Sequence, residues 1–112
     1  MKINITELCG NNSVTRADGD KVNKLLMELW DKTDVFEVDF NNRLIASVSF
    51  IDEAFGRLAL SHPKRELQKK LVFKNMADYD RNLLNDLLSS HYRQIKESSG
   101  GRPMEHHLPP LN

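Results

Sequence analysis

Residues 35 to 40 read VFEVDF, and this stretch narrows the fold more than any other part of the chain. Phe36, Val38 and Phe40 alternate with Val35, Glu37 and Asp39, so an extended backbone presents one wholly apolar face and one largely charged face. Such a strand must be covered on its apolar side. Segments with helical periodicity lie on both sides of it. Val22, Leu25, Leu26 and Leu29 recur at i, i+3, i+4, i+7 and predict a helix over 18–32. Asp18 and Asp20 sit near its start, where negative charge is favoured, and Trp30 is placed to close the end of the core. After the strand, Ile51, Ala54, Phe55 and Leu58 line one face of a second helix that begins near Ser49, with Arg57 off that face. Leu84, Leu87, Leu88, His91 and Ile95 form the stripe of a third helix over 80–97, with Asp78 or Asp80 able to cap it.

Two further strands are expected. KINIT (2–6) alternates Ile3 and Ile5 with polar neighbours, and LVFKN (71–75) has the continuous apolar run of a strand buried in a sheet. Asn41-Asn42 breaks the central strand, and LIASVSF (44–50) reads as a loop folded onto the core or a brief strand. Pro63 ends the second helix, and PKRELQKK reads as a solvated connection. Strands alternating with helices give an α/β fold, a small mixed sheet of about four strands packed against about three helices. The fourth strand would lie within residues 8–15. With 112 residues there is room for one core. Residues 1–97 are the expected domain. Residues 98–112 hold three of the four prolines and no periodicity, which predicts a disordered or extended tail.

The residues offer little to catalysis. Asp52 and Glu53 are adjacent, and on a helix they point about 100° apart, so they do not form an acid/base pair by themselves. His62 and His91 are isolated in the sequence, and His106-His107 has no companion ligand at a metal-binding spacing. Cys9 is the only cysteine, which excludes an internal disulfide and a cysteine-based zinc site. It reads as a small buried or half-buried residue. No nucleotide-binding or nucleophile motif is present, so no enzyme activity and no cofactor are expected. No apolar stretch is long enough to span a bilayer and the start is unlike a signal peptide, so the expected compartment is the cytoplasm. The bland account of SFIDE (49–53) is helix initiation, with Ser49 and Asp52 as a capping box.

Charge is balanced overall but unevenly distributed. Residues 7–53 carry ten acids against five bases, and residues 62–75 carry five bases against one acid. That balance argues against direct nucleic-acid binding. It leaves Arg16, Lys64, Arg65, Lys69 and Lys70 as the candidate set for a nucleotide or other anionic ligand.

A strand ending in VDF, a short loop and SFIDEAFGRL at a helix start resemble the STAS domains of bacterial anti-sigma factor antagonists. The resemblance is closer to the STAS-like domain of unknown function, whose upstream Thr-Arg-x-Asp-Gly is matched by residues 15–19. It covers about residues 1–95. In the antagonists, a serine after the helix-start aspartate is phosphorylated by a partner kinase. Here Phe50-Ile51-Asp52 matches the approach and the aspartate, Glu53 occupies the acceptor position, and Phe55 replaces a glycine. The serine switch therefore does not carry over. The resemblance implies a non-enzymatic regulatory interaction module whose partner is a histidine-kinase-like ATPase or another regulatory protein. It would be bound through Arg16, Asp52, Glu53, Phe55 and Arg57. The oligomeric state is left open by the sequence.

Overall fold

The computed structural model describes residues 1–98, and the tail expected over 98–112, with His106-His107, lies outside the described residues apart from Ser98. The chain runs β1 (Lys2–Asn4), α1 (Ile5–Cys9), α2 (Arg16–Leu29) with a 3₁₀ turn at Trp30–Lys32, then β2 (Phe36–Asp39) and α3 (Val48–Ala54). A second 3₁₀ turn at Gly56–Leu60, α4 (Lys64–Lys70), β3 (Leu71–Lys74) and α5 (Asp78–Ser98) complete it.

Among the described residues the sheet has three strands in the order β1-β2-β3, and both pairings are parallel. The expected mixed, four-stranded sheet is corrected in both respects. Residues 8–15 finish α1 and form a loop rather than a strand. β1 stops at Asn4 because the Asn4 side chain accepts the Glu7 amide at 3.0 Å and caps α1. Among the described residues five α-helices form where three were expected. The basic segment 64–70 is the helix α4 rather than a solvated connection: its residues are good helix formers, and Leu67 gives it a buried anchor.

Ile3 of β1, Phe36 and Val38 of β2, and Leu71 and Phe73 of β3 are buried, while their neighbours Lys2, Glu37 and Val72 are not. With the strands in sequential order, two right-handed crossovers place their helices on the same side of the sheet. The result is two layers with one core between them. Phe55 meets Phe73 edge-on at 5.2 Å, and Trp30 stacks on Phe36 at 5.6 Å. No helix among the described residues is long and apolar enough to cross a membrane.

Candidate functional site

The carboxyl ends of the three strands open onto loops that are held by side chains from distant parts of the chain. Asn41, Asn42 and Ala46, between β2 and α3, all have left-handed backbone, with φ of 58°, 57° and 49°. Asparagine tolerates that conformation, but alanine does so only when its surroundings impose it. Asp80 imposes it here. Its fully buried carboxylate accepts the Ile45 and Ala46 amides, each at 2.7 Å. Asp80 is therefore not the cap of α5 that its position in the sequence suggested. The Ala77 carbonyl accepts the Arg81 amide, so the first turn of α5 already contains Asp78 and Asp80. On the other side, Arg43 pins the loop to α1 through Thr6 Oγ1 and to the α1–α2 connection through the Gly10 and Asn12 carbonyls. The clamped loop leaves Leu44 and Val48 62% and 54% exposed.

α3 begins at Val48, and its cap lies two residues before Ser49. Ser47 is the N-cap and accepts the Phe50 amide at 3.2 Å, so the Ser49–Asp52 capping box is corrected. Ser49 lies inside the helix, where its Oγ accepts from Arg16 Nη2 at 3.4 Å. Asp52 turns toward α5 and pairs with His91 Nε2 at 2.6 Å. Gly56 makes this pairing possible, because a Cβ there would stand 2.5 Å from Asp52 Oδ1. His91, isolated in sequence, thus has a carboxylate partner.

Glu53 turns the other way, toward α2. Arg16 reaches its Oε1 at 2.7 Å and Arg57 its Oε2 at 2.5 Å. Arg57 also reaches Asp20 at 3.2 Å, and Asp20 meets Lys24 at 2.9 Å. Signs alternate along this surface row, so each acid is shared by two bases. Hydrogen bonding to Glu53 raises the Arg57 guanidinium further, and the Lys24 ammonium lowers the Asp20 carboxyl. The row exists because α2 and α3 approach closely at Gly19, where a Cβ would sit 2.7 Å from the Phe50 carbonyl oxygen. Buried Asn23 ties the helices again, donating to the Ala54 carbonyl at 3.3 Å.

The structure thus brings Arg16, Glu53 and Arg57 together and sets Asp52 apart from them. Phe55 is fully buried among Phe40, Phe50 and Phe73, so it contributes packing and no contact surface. The anion-binding set is not assembled. Lys64 is buried, and burial lowers its ammonium. Lys70 donates to the Trp30 and Thr33 carbonyls at 2.7 Å each, beyond the far end of α2 from Arg16. At 1.5 Å per residue the two ends of α2 lie about 20 Å apart. Arg65 and Lys69 are exposed on α4. Sequence reasoning missed Arg43, Leu44 and Val48, and it gave Asp80 a capping role in place of its hold on the loop. The Asn41-Asn42 pair was the available signal that the backbone turns sharply there.

A family model described as a STAS-like domain of unknown function matches residues 18–81. The chain belongs to this family. The matched span of the STAS-like domain runs from the first turn of α2 to the first turn of α5. It contains Gly19, Arg43, the clamped loop, Glu53, Arg57 and Asp80, while Arg16 lies just outside it. No curated protein and no solved structure matches the chain. Among the described residues no three His, Cys, Asp or Glu side chains converge as metal ligands would.

Proposed function

We propose that this STAS-like domain is a non-enzymatic regulatory module that docks a protein partner on the start of α3 and the adjoining face of α2. The observation that carries this reading is the pair Leu44 and Val48. Both are more than half exposed, on either side of a loop that a buried carboxylate holds in a strained conformation. Apolar side chains presented by a fixed backbone, beside the charged row Arg16–Glu53–Arg57–Asp20, have the make-up of an interface with an apolar centre and a polar rim. A preorganised loop also loses little entropy on binding.

The partner this reading favours is an ATPase of the histidine-kinase-like type, as the resemblance to the anti-sigma factor antagonists implies. Glu53 then acts as a fixed negative charge where those proteins have a phosphorylatable serine. It carries a smaller charge than a phosphate and is already bridged by two arginines. Such a surface holds its partner without a phosphorylation step at that residue.

Calorimetric titration of the chain against a histidine-kinase-like ATPase from the same genome tests the reading. Val48→Asp and Leu44→Asp are surface changes, and each is expected to weaken binding at least about tenfold, roughly 1.4 kcal/mol, with the melting temperature unchanged. Equal affinity for the wild type and both variants would remove this surface from consideration.

A further inference from the structure

We infer that the cavity between the α1–α2 connection and the β2–α3 loop binds a small oxyanion, a carboxylate or a phosphate. The cavity has a volume of about 330 Å³ and is walled by residues 11–14 on one side and 43–45 on the other. It opens at the carboxyl ends of the parallel strands, where ligands of open α/β sheets characteristically bind. Its lining is mostly polar, with the exposed side chains of Asn11, Asn12 and Ser13 at the mouth and half-buried Arg43 in the wall.

Arg43 decides the chemistry. Its guanidinium donates to Thr6 Oγ1 at 3.1 Å, to the Gly10 carbonyl at 2.7 Å and to the Asn12 carbonyl at 2.8 Å. All three acceptors are neutral. They fix the planar fork without neutralising its charge, and no ion pair among the described residues involves Arg43. Arg16 and Arg57, by contrast, share Glu53. Asp18, at the start of α2, keeps its carboxylate on the Thr15 amide and hydroxyl. A pre-oriented cation without a carboxylate, in the wall of a polar cavity of ligand size, favours a compact anion with several acceptor oxygens. The asparagines and Ser13 supply further donors. An apolar ligand would leave these groups unpaired. Leu44 borders both this cavity and the docking surface. The inference is carried by Arg43 and the polar residues 11–13, and neither Val48 nor the Arg16–Glu53–Arg57 row enters it. Ser13→Asp therefore tests it apart from the docking reading.

The test is a two-dimensional ¹H–¹⁵N NMR titration of the full chain with inorganic phosphate and, separately, with acetate, at constant ionic strength set by sodium chloride. Saturable shifts centred on the amides of Asn11–Val14 and Arg43–Ile45 are expected with at least one probe, and the two arms distinguish a phosphate site from a carboxylate site. Ser13→Asp places a carboxylate in the same cavity and is expected to weaken binding at least about tenfold while leaving the melting temperature unchanged or raised. This variant keeps every Arg43 hydrogen bond, so lost binding is not confused with a lost loop. Shifts that fail to saturate with both probes, saturable shifts confined to α4, or equal affinity in Ser13→Asp would each overturn the assignment.

Discussion

The two ends of the sheet are closed in different ways. At the amino end, where Trp30 precedes β2 and Lys70 precedes β3, the contacts are aromatic and dense. His62 stacks on Trp30 at 4.6 Å, and the Lys70 ammonium lies 5.6 Å from the Trp30 ring centre. Glu66 accepts from Trp30 Nε1 and lies 3.3 Å from His62 Nδ1, and the Tyr92 hydroxyl donates to the His62 carbonyl at 2.9 Å. Burial pushes the Tyr92 phenol well above its ordinary range. At the carboxyl end the backbone is left-handed at four non-glycine residues, Asn41, Asn42, Ala46 and Asn75. There, polar side chains hold the loops, and apolar ones remain exposed. One end is organised for stability. The other stores strain that packing elsewhere sustains, which is the usual mark of a working surface.

The largest test of that contrast is Trp30→Ala. Removing a buried aromatic that anchors the amino end is expected to cost about 4 kcal/mol in urea unfolding. Asp80→Ala comes next, at about 3 kcal/mol, because it leaves the Ile45 and Ala46 amides without their acceptor. The two variants should differ in kind as well as size. Trp30→Ala lowers global stability, whereas Asp80→Ala also speeds local hydrogen exchange at residues 44–48 beyond what the global loss explains. If both variants loosen the whole chain uniformly, the two ends are not separate in the way described.

Smaller changes sharpen the same contrast. Ala46→Gly relieves the left-handed strain and should stabilise the chain by up to about 1 kcal/mol in urea unfolding, whereas a destabilised variant would show that no strain resides there. The last effect is one of pH. At the carboxyl end Asp39 accepts from the Asn41 amide at 2.8 Å and from Asn75 Nδ2 at 3.0 Å, and these bonds lower its carboxyl below the ordinary value. A carboxyl with a lower folded pKa contributes stability above its unfolded pKa, about 3.9, and loses it as the pH falls through the folded value. Asp39→Asn should therefore flatten the acid limb of a melting-temperature profile below about pH 4. An unchanged limb would mean that Asp39 adds nothing.

The parts of the molecule legible in the sequence were those with enough residues to show a period. VFEVDF showed its buried face directly, since Phe36 and Val38 are fully buried as the alternation required. The stripes of α2 and α5 did likewise at Val22, Leu26, Leu84 and Leu88. α1 has only five residues, and α4 has a single buried apolar residue, Leu67, among charged and polar ones, so neither shows an apolar stripe and both were missed. The site was less legible because it depends on contacts across the chain. Two serines stand two residues apart, and Ser49-x-x-Asp52 matches a cap by spacing. Ser47 caps instead, and Asp80, more than thirty residues away, fixes the backbone immediately before it. Likewise Glu53 and Arg57, which the resemblance grouped with Arg16, do lie together in one ion-pair row, while Phe55, in the same run, points into the core. The separation of Asp52 from Glu53 followed from helix geometry alone, and their partners lie in different elements, His91 on α5, Arg16 on α2 and Arg57 in the 3₁₀ turn after α3.

The central claim is that the carboxyl end, and not the amino end, meets a partner. Hydrogen exchange of the chain, free and saturated with a histidine-kinase-like ATPase of the kind proposed above, tests it most directly. The account predicts new protection over residues 44–53 and at the start of α2, with Trp30–Lys32 and α4 unchanged. Protection confined to Trp30–Lys32 and α4, with residues 44–53 exchanging as in the free chain, would contradict it.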